Sequence, residues 1–244
     1  MKQLVQILFL LCCFTMLFSC HKEEEISTTT VSDYDGNIYP IIKIGNQYWT
    51  QVNLRSRHYS NGEIIHDITC PNNDFDLVEK NGFLYSWSAV IHRDKSSENN
   101  PSRVQGICPK GWHVPSHSEW TQLFDYVSQQ PEYLCSGLTR NIAKALASEE
   151  GWIEDHTYSC DIGDDKSTNN ATGFSILPAG YGIVNSVVAQ YGEEAHFWTC
   201  TEYSNEQYSV YDKVRSFELL SYGVSVYPRE EDKNYCFSVR CVKD

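Results

Sequence analysis

Three places in this 244-residue sequence gather side chains able to do chemistry. The first is Trp112-His113-Val114-Pro115-Ser116-His117-Ser118-Glu119, which offers two imidazoles and a carboxylate, the groups of a metal site or an acid–base pair. Pro115 breaks the segment, however, and Ser116-x-x-Glu119 reads as a capping box, in which the serine caps free amides and the glutamate reaches back. Glu119 is thereby committed, and His113 is expected to be a packed strand residue. The second is Asp161-Ile-Gly-Asp164-Asp165 with Asn169 and Asn170, hard oxygen ligands of the kind calcium prefers. They lack the EF-hand register, so a solvated polar loop is expected. The third is the pair Cys236 and Cys241; five residues apart on an extended strand they point to opposite faces. There is no Gly-x-Ser-x-Gly elbow, phosphate loop, dinucleotide fingerprint, Cys-x-x-Cys or zinc-ligand spacing. The expectation is a non-enzymatic protein with no catalytic residues, no metal and no cofactor.

The N-terminus indicates where the protein works. Residues 1–19 carry Lys2, an apolar run from Leu4 to Phe18 and a small Ser19, the pattern of a signal peptide. The run is short for a membrane span, which needs about 20 residues. Leu17-Phe18-Ser19-Cys20 resembles a lipobox, which implies acylation of Cys20 and an anchor in the membrane. His21-Lys22-Glu23-Glu24-Glu25 resembles the acidic surface-export signal of Bacteroidetes lipoproteins, which implies an outer-membrane, surface-exposed location. The formal charge is −13; loss of Lys2 with the signal leaves −14, a poor match for nucleic acid or anionic membrane. Of ten cysteines, Cys12 and Cys13 leave with the signal and Cys20 is acylated. Seven remain in an oxidising compartment, which predicts disulfides and at least one unpaired thiol.

The positioning elements follow from patterning. Residues 20–32 read as the lipidated cysteine and a polar tether, and 33–244 as one domain large enough to bury a full core. Turn signals at Asp35-Gly36-Asn37 and Gly45-Asn46 frame a hairpin of 38–44 with 47–54. Asn81-Gly82 opens an aromatic strand over 83–87. The capping box predicts a helix over 117–129, with Trp120, Leu123, Phe124 and Val127 toward the core. A second helix is expected over 138–148, with Leu138, Ile142, Ala145 and Leu146 on one side. Strands are expected over 174–177, 196–201, 208–214, 222–227 and 236–242.

The ordered blocks DGNIYPIIKIGNQYWTQVNL, NGFLYSWSAV, GICPKGWHVPSHSEWTQL, GFSILPAGYG, FWTCTEY and SVRCVKD closely resemble the Fibrobacter succinogenes major paralogous domain family, over nearly all of 33–244. That family is similar in turn to the formylglycine-generating-enzyme domain. The resemblance implies a C-type-lectin-like α+β fold with two helices and a twisted, mainly antiparallel sheet. It also raises a copper-dependent oxidase, because formylglycine-generating enzymes hold copper with two cysteines at the spacing of Cys236 and Cys241. Ser238-Val239-Arg240-Cys241 aligns better with the final strand, downstream of that copper pair. The alternative is structural: Cys241 paired with Cys108, with Cys200 and Cys236 as a candidate second pair in the strand-rich half. Cys70, Cys135 and Cys160 are unassigned. The glutamate-proline-asparagine and tryptophan-asparagine-aspartate signatures of calcium-dependent lectins are absent.

What remains is binding. Loops on a rigid scaffold carry such sites, and the loop-prone stretches here are aromatic: Tyr181, Tyr191, Trp198 and Tyr203 are the candidate ligand-binding residues, with Tyr222 and Tyr227 beyond them. Exposed rings of this kind stack on sugars or anchor peptides. Trp49, Trp87, Trp112, Trp120 and Trp198 sit in blocks where packing is the competing role. The expected function is a binding or adhesion module for an extracellular glycan or protein. The alternative is a structural subunit of a surface assembly such as a pilus or envelope complex.

Overall fold

The computed structural model describes residues 29–203 and 213–244. The expected signal peptide, Cys20 and most of the expected polar tether lie outside the described residues, as does the greater part of the strand expected over 208–214. In chain order the strands are β1 (Thr30–Ser32), β2 (Ile38–Ile44), β3 (Gln47–Thr50), β4 (Ile68–Thr69), β5 (Leu84–Ser86), β6 (Trp112–His113), β7 (Tyr181–Ile183), β8 (Val188–Ala189), β9 (Glu194–Tyr203), β10 (Lys213–Leu220), β11 (Tyr227–Asp232), β12 (Tyr235–Phe237) and β13 (Val242–Lys243). The α-helices are α1 (Val78–Asn81), α2 (Trp87–Ile91), α3 (His117–Ser128) and α4 (Ala143–Leu146).

These strands form three separate sheets, ordered β1-β2-β3-β13-β6, β11-β10-β9 and β4-β5-β12-β7-β8. The chain is mostly β, and the two-helix C-type-lectin-like α+β domain expected from the sequence is not what it forms. Among the described residues α3 is the only helix longer than five residues. The second expected helix shrinks to α4 because Ser136 and Gly137 adopt left-handed backbone, at φ 55° and 68°. The Cys135 N–H then donates to Asn141 O at 3.0 Å, and a Cys135–Cys160 disulfide fixes the reversal. Leu138, grouped with Ile142, Ala145 and Leu146 on one side of the expected helix, is 48% exposed as a result. Strand expectations are trimmed likewise. Residues 174–177 contribute a single bridge from Ile176 to Ala147, 222–227 form a turn into β11, and 236–242 break into β12 and β13.

Where local chemistry is strong, element and sequence agree. The Gly45-Asn46 turn joins β2 to β3 in antiparallel register, with Ile44 opposite Gln47. At α3 the Ser116 Oγ accepts from Glu119 N at 3.2 Å and Glu119 Oε2 accepts from Ser116 N at 2.9 Å, completing the box. The helix buries Trp120, Leu123 and Val127.

Two apolar clusters make up most of the core. Trp87, Trp112, Trp198 and Phe237 belong to one; Trp49, Trp120, Trp152, Phe174 and Phe197 belong to the other. Cys108 and Cys241 are joined across 133 residues, tying the segment before β6 to the strand beside it. Cys200 and Cys236 are not joined. Both are buried free thiols on different sheets, Cys200 on β9 with its Sγ toward Ser97 O, Cys236 on β12 against Leu84 and Ala179. Burial pushes each of these thiols up to about 12. Replacing Cys108 and Cys241 together by serine is expected to lower the free energy of unfolding by up to about 4–5 kcal/mol, the loop-closure value for so long a span. Urea denaturation checks this; an unchanged midpoint would show that the bond constrains nothing.

Candidate functional site

The outer face of α3 carries His117, Ser118, Thr121, Gln122, Asp125, Tyr126 and Gln129, and these residues wall a cleft of about 560 Å³ together with Ile44, Gly45, Asn46 and Gln47 of the β2–β3 turn. The spacing is helical. Trp120, Leu123 and Val127 face inward, so the alternate stripe is left to solvent. Gly45 sits at φ +58°, and a Cβ there would lie 3.0 Å from the Tyr126 ring. A side chain at this turn would therefore collide with one wall.

The cleft is lined by neutral hydrogen-bonding groups, four amide side chains and two hydroxyls, with Asp125 the one acidic residue and Tyr126 the exposed ring. Two polar atoms at its lining are shielded from solvent and lack a partner. Gln47 donates its Nε2 to Glu119 O at 3.0 Å, which orients the amide and leaves Oε1 unpaired. His117 stacks on Phe217 at 4.9 Å and 9°, and its Nδ1 is unpaired. On the far side of His117 lies a second hollow of about 430 Å³, lined by Arg215, Pro228, Arg229 and Glu230. Arg215 makes no ion pair among the described residues and lies over the Tyr203 ring at 5.5 Å.

The aromatic candidates do not converge. Trp198 is fully buried and donates its Nε1 to Tyr85 O at 2.8 Å, so it is a core residue and not a binding platform. Tyr181 is half-buried on β7, edge-on to His196, and Tyr191 is half-buried in the turn after β8. Tyr203 lies against Arg215, which lines the second hollow and not the cleft. It lies seven residues along β9 from His196, a separation of roughly 23 Å on an extended strand.

The other sequence candidates are placed plainly. His113 is buried on β6, with Nε2 2.6 Å from Glu119 Oε1 and Nδ1 2.7 Å from Asp244 Oδ1. His117 faces away from that pair, into the cleft, so the three groups form no common site. In the polar loop the Lys144 ammonium donates to the carbonyl oxygens of Asp161 at 3.2 Å, Asp165 at 3.3 Å and Asp164. The loop is organised around the protein's own cation, which explains oxygen ligands without a calcium register. Among the described residues no three His, Cys, Asp or Glu side chains are grouped to hold a metal. Cys241, in its bond to Cys108, is no free partner for Cys236.

The chain matches the sequence model of the Fibrobacter succinogenes major domain over residues 42–243 and belongs to that family. No curated protein and no solved structure matches it.

Burial, and then the nearby Arg215 guanidinium, hold the His117 pKa below its usual 6.5. The unfolded chain takes up a proton that the folded chain resists, so stability arising here is full above about pH 6.5 and lost as pH falls through the depressed native value. Thermal melts from about pH 7 to pH 5 are expected to decline more in the wild type than in His117→Gln. Equal declines would contradict the assignment.

Proposed function

We propose that this chain is an outer-membrane lipoprotein, anchored at the cell surface through Cys20, whose domain binds an extracellular glycan in the cleft between Gly45–Gln47 and α3 and catalyses no reaction. Surface export is supported by the signal-like N-terminus and the acidic tether. The glycan reading is carried by one observation: Gln47 Oε1 and His117 Nδ1, both sheltered and both unpaired, adjoin a wall of amides and hydroxyls. Sheltered polar atoms are nearly always paired in native proteins. A small turn of either side chain would bring its free atom to the cleft, where a guest bearing many hydroxyls supplies the complementary group directly or through bridging water. Tyr126, exposed on the same wall, gives a sugar face something to pack on. Nucleic acid is disfavoured by the charge of −13, and the membrane is touched through the lipid anchor alone.

The test is a glycan-array screen of residues 27–244, produced in an oxidising compartment, followed by titration of any hit. Tyr126→Ala is expected to weaken binding by about tenfold, the scale of a lost aromatic contact, and Tyr191→Ala to leave it unchanged. Silence across the array on folded, disulfide-intact protein would overturn the glycan reading in favour of a protein partner or a structural role in a surface assembly.

A further inference from the structure

On the opposite side of Glu119 from the glycan cleft lies a separate cavity of about 440 Å³, lined by Pro101, Arg103, Gln105, Trp112, His113 and Asp244. Its size falls in the range of small-molecule pockets, roughly 300–1,000 Å³. Trp112 and Pro101 give it an apolar surface; Trp112 itself is 4% exposed.

Its charges are arranged unusually. The Asp244 carboxylate, 59% exposed, is held by His113 Nδ1 at 2.7 Å. His113 is held from behind by Glu119, which is almost fully buried and is fixed in turn by the N–H groups of Ser116 and Ser102. A carboxylate on each ring nitrogen favours the imidazolium: burial pulls the His113 pKa down, but Glu119 and Asp244 outweigh it and the net direction is up. The His113–Glu119 pair is closed to solvent, which leaves Asp244, the exposed member of the three, as the acceptor facing the cavity.

Arg103 supplies the opposite charge. It is exposed, makes no ion pair among the described residues, and sits at φ 60°, a backbone conformation that non-glycine residues seldom adopt. Its neighbours hold it there. Ser102 Oγ donates to Val114 O at 2.6 Å, and Val104 O accepts from Val114 N at 2.8 Å. A guanidinium and a carboxylate thus line one cavity without pairing with each other; the backbone of Arg103 is fixed by its neighbours and the Asp244 carboxylate is held by His113. A guest carrying a carboxylate and an ammonium on one carbon would offer each of the two groups its complement.

We propose that this cavity binds a free α-amino acid as its zwitterion, the carboxylate on Arg103, the ammonium on Asp244 and an apolar side chain against Trp112 and Pro101. This site is independent of the glycan cleft.

The experiment is isothermal titration of the full chain, purified in detergent, with a panel of L-α-amino acids that includes L-leucine and L-phenylalanine. The controls are 2-phenylethylamine and 3-phenylpropanoic acid, each carrying only one of the two charges. At least one amino acid is expected to bind, with the single-charge controls weaker by about tenfold or more. Arg103→Gln and Asp244→Asn are each expected to weaken binding by about tenfold or more. Arg103 is exposed, so its variant keeps the test readable even if Asp244→Asn unfolds. Absence of binding across the panel at millimolar concentration would overturn the proposal, as would binding that survives Arg103→Gln or that the amine or acid alone reproduces.

Discussion

The fold is organised around a guanidinium in the wrong place for a charge. Arg240 is 1% exposed and has no carboxylate partner among the described residues. Its Nε donates to Asn53 Oδ1 at 3.0 Å, one terminal nitrogen to Ser175 O at 3.0 Å and the other to Phe174 O. The plane lies over the Phe174 ring at 4.4 Å and faces Phe197 at 5.7 Å. Burying an unpaired charge is expensive unless dipoles and ring faces replace water. Burial here pushes the group down to about 9, so it stays charged at neutral pH. Each acceptor is itself prepared. Asn53 donates to Asn81 O and Ser238 Oγ, while Ser175, at φ 55°, is held there by Asn170 Oδ1. Three stretches distant in sequence are therefore locked together by one side chain.

That lock extends outward to the cleft. Phe174, beneath the guanidinium, packs edge-on against Trp49 and Trp120, which touch each other at 4.6 Å between ring centroids. Trp49 belongs to β3 and Trp120 to the inner stripe of α3, so the two walls of the cleft rest on one aromatic cluster backed by Arg240. Glu119, on the same helix, takes Gln47 on its carbonyl and His113 on its carboxylate. The helix is positioned by burial on one side and hydrogen bonding at its start, and its polar outer stripe faces the cleft, with Ser118 and Gln122 also bonded to the 98–100 segment.

How much of this was legible in the sequence depends on the range of the interaction. The capping box, the Gly45-Asn46 turn and the inward stripe of α3 rest on residues a few positions apart, and the outer stripe could have been read as the complement of the inner one. The second helix failed because a left-handed turn at Ser136–Gly137 and a bond from Cys135 to Cys160 override periodicity, and cysteine pairing is not encoded in spacing. The lectin-like fold failed for a related reason: family blocks specify local packing, while the division into three sheets of mostly short strands is a tertiary outcome. Trp198 was counted among binding aromatics because its type suits both roles, and only its burial, with the indole donating to Tyr85 O, decides between them. Arg240 and Lys144 were unreadable in principle, since a long cation normally stays at the surface and only the fold reveals the carbonyls that receive it.

The most direct test is the unfolding free energy of Arg240→Met, measured by urea denaturation. Methionine nearly fills the space but leaves Asn53 Oδ1, Phe174 O and Ser175 O without a donor, so a loss of about 3–5 kcal/mol is predicted, the cost of breaking a buried polar network at one partner. A variant as stable as the wild type, as happens when buried charges are replaced by apolar groups that pack well, would show that the guanidinium is tolerated by this fold and does not hold it together.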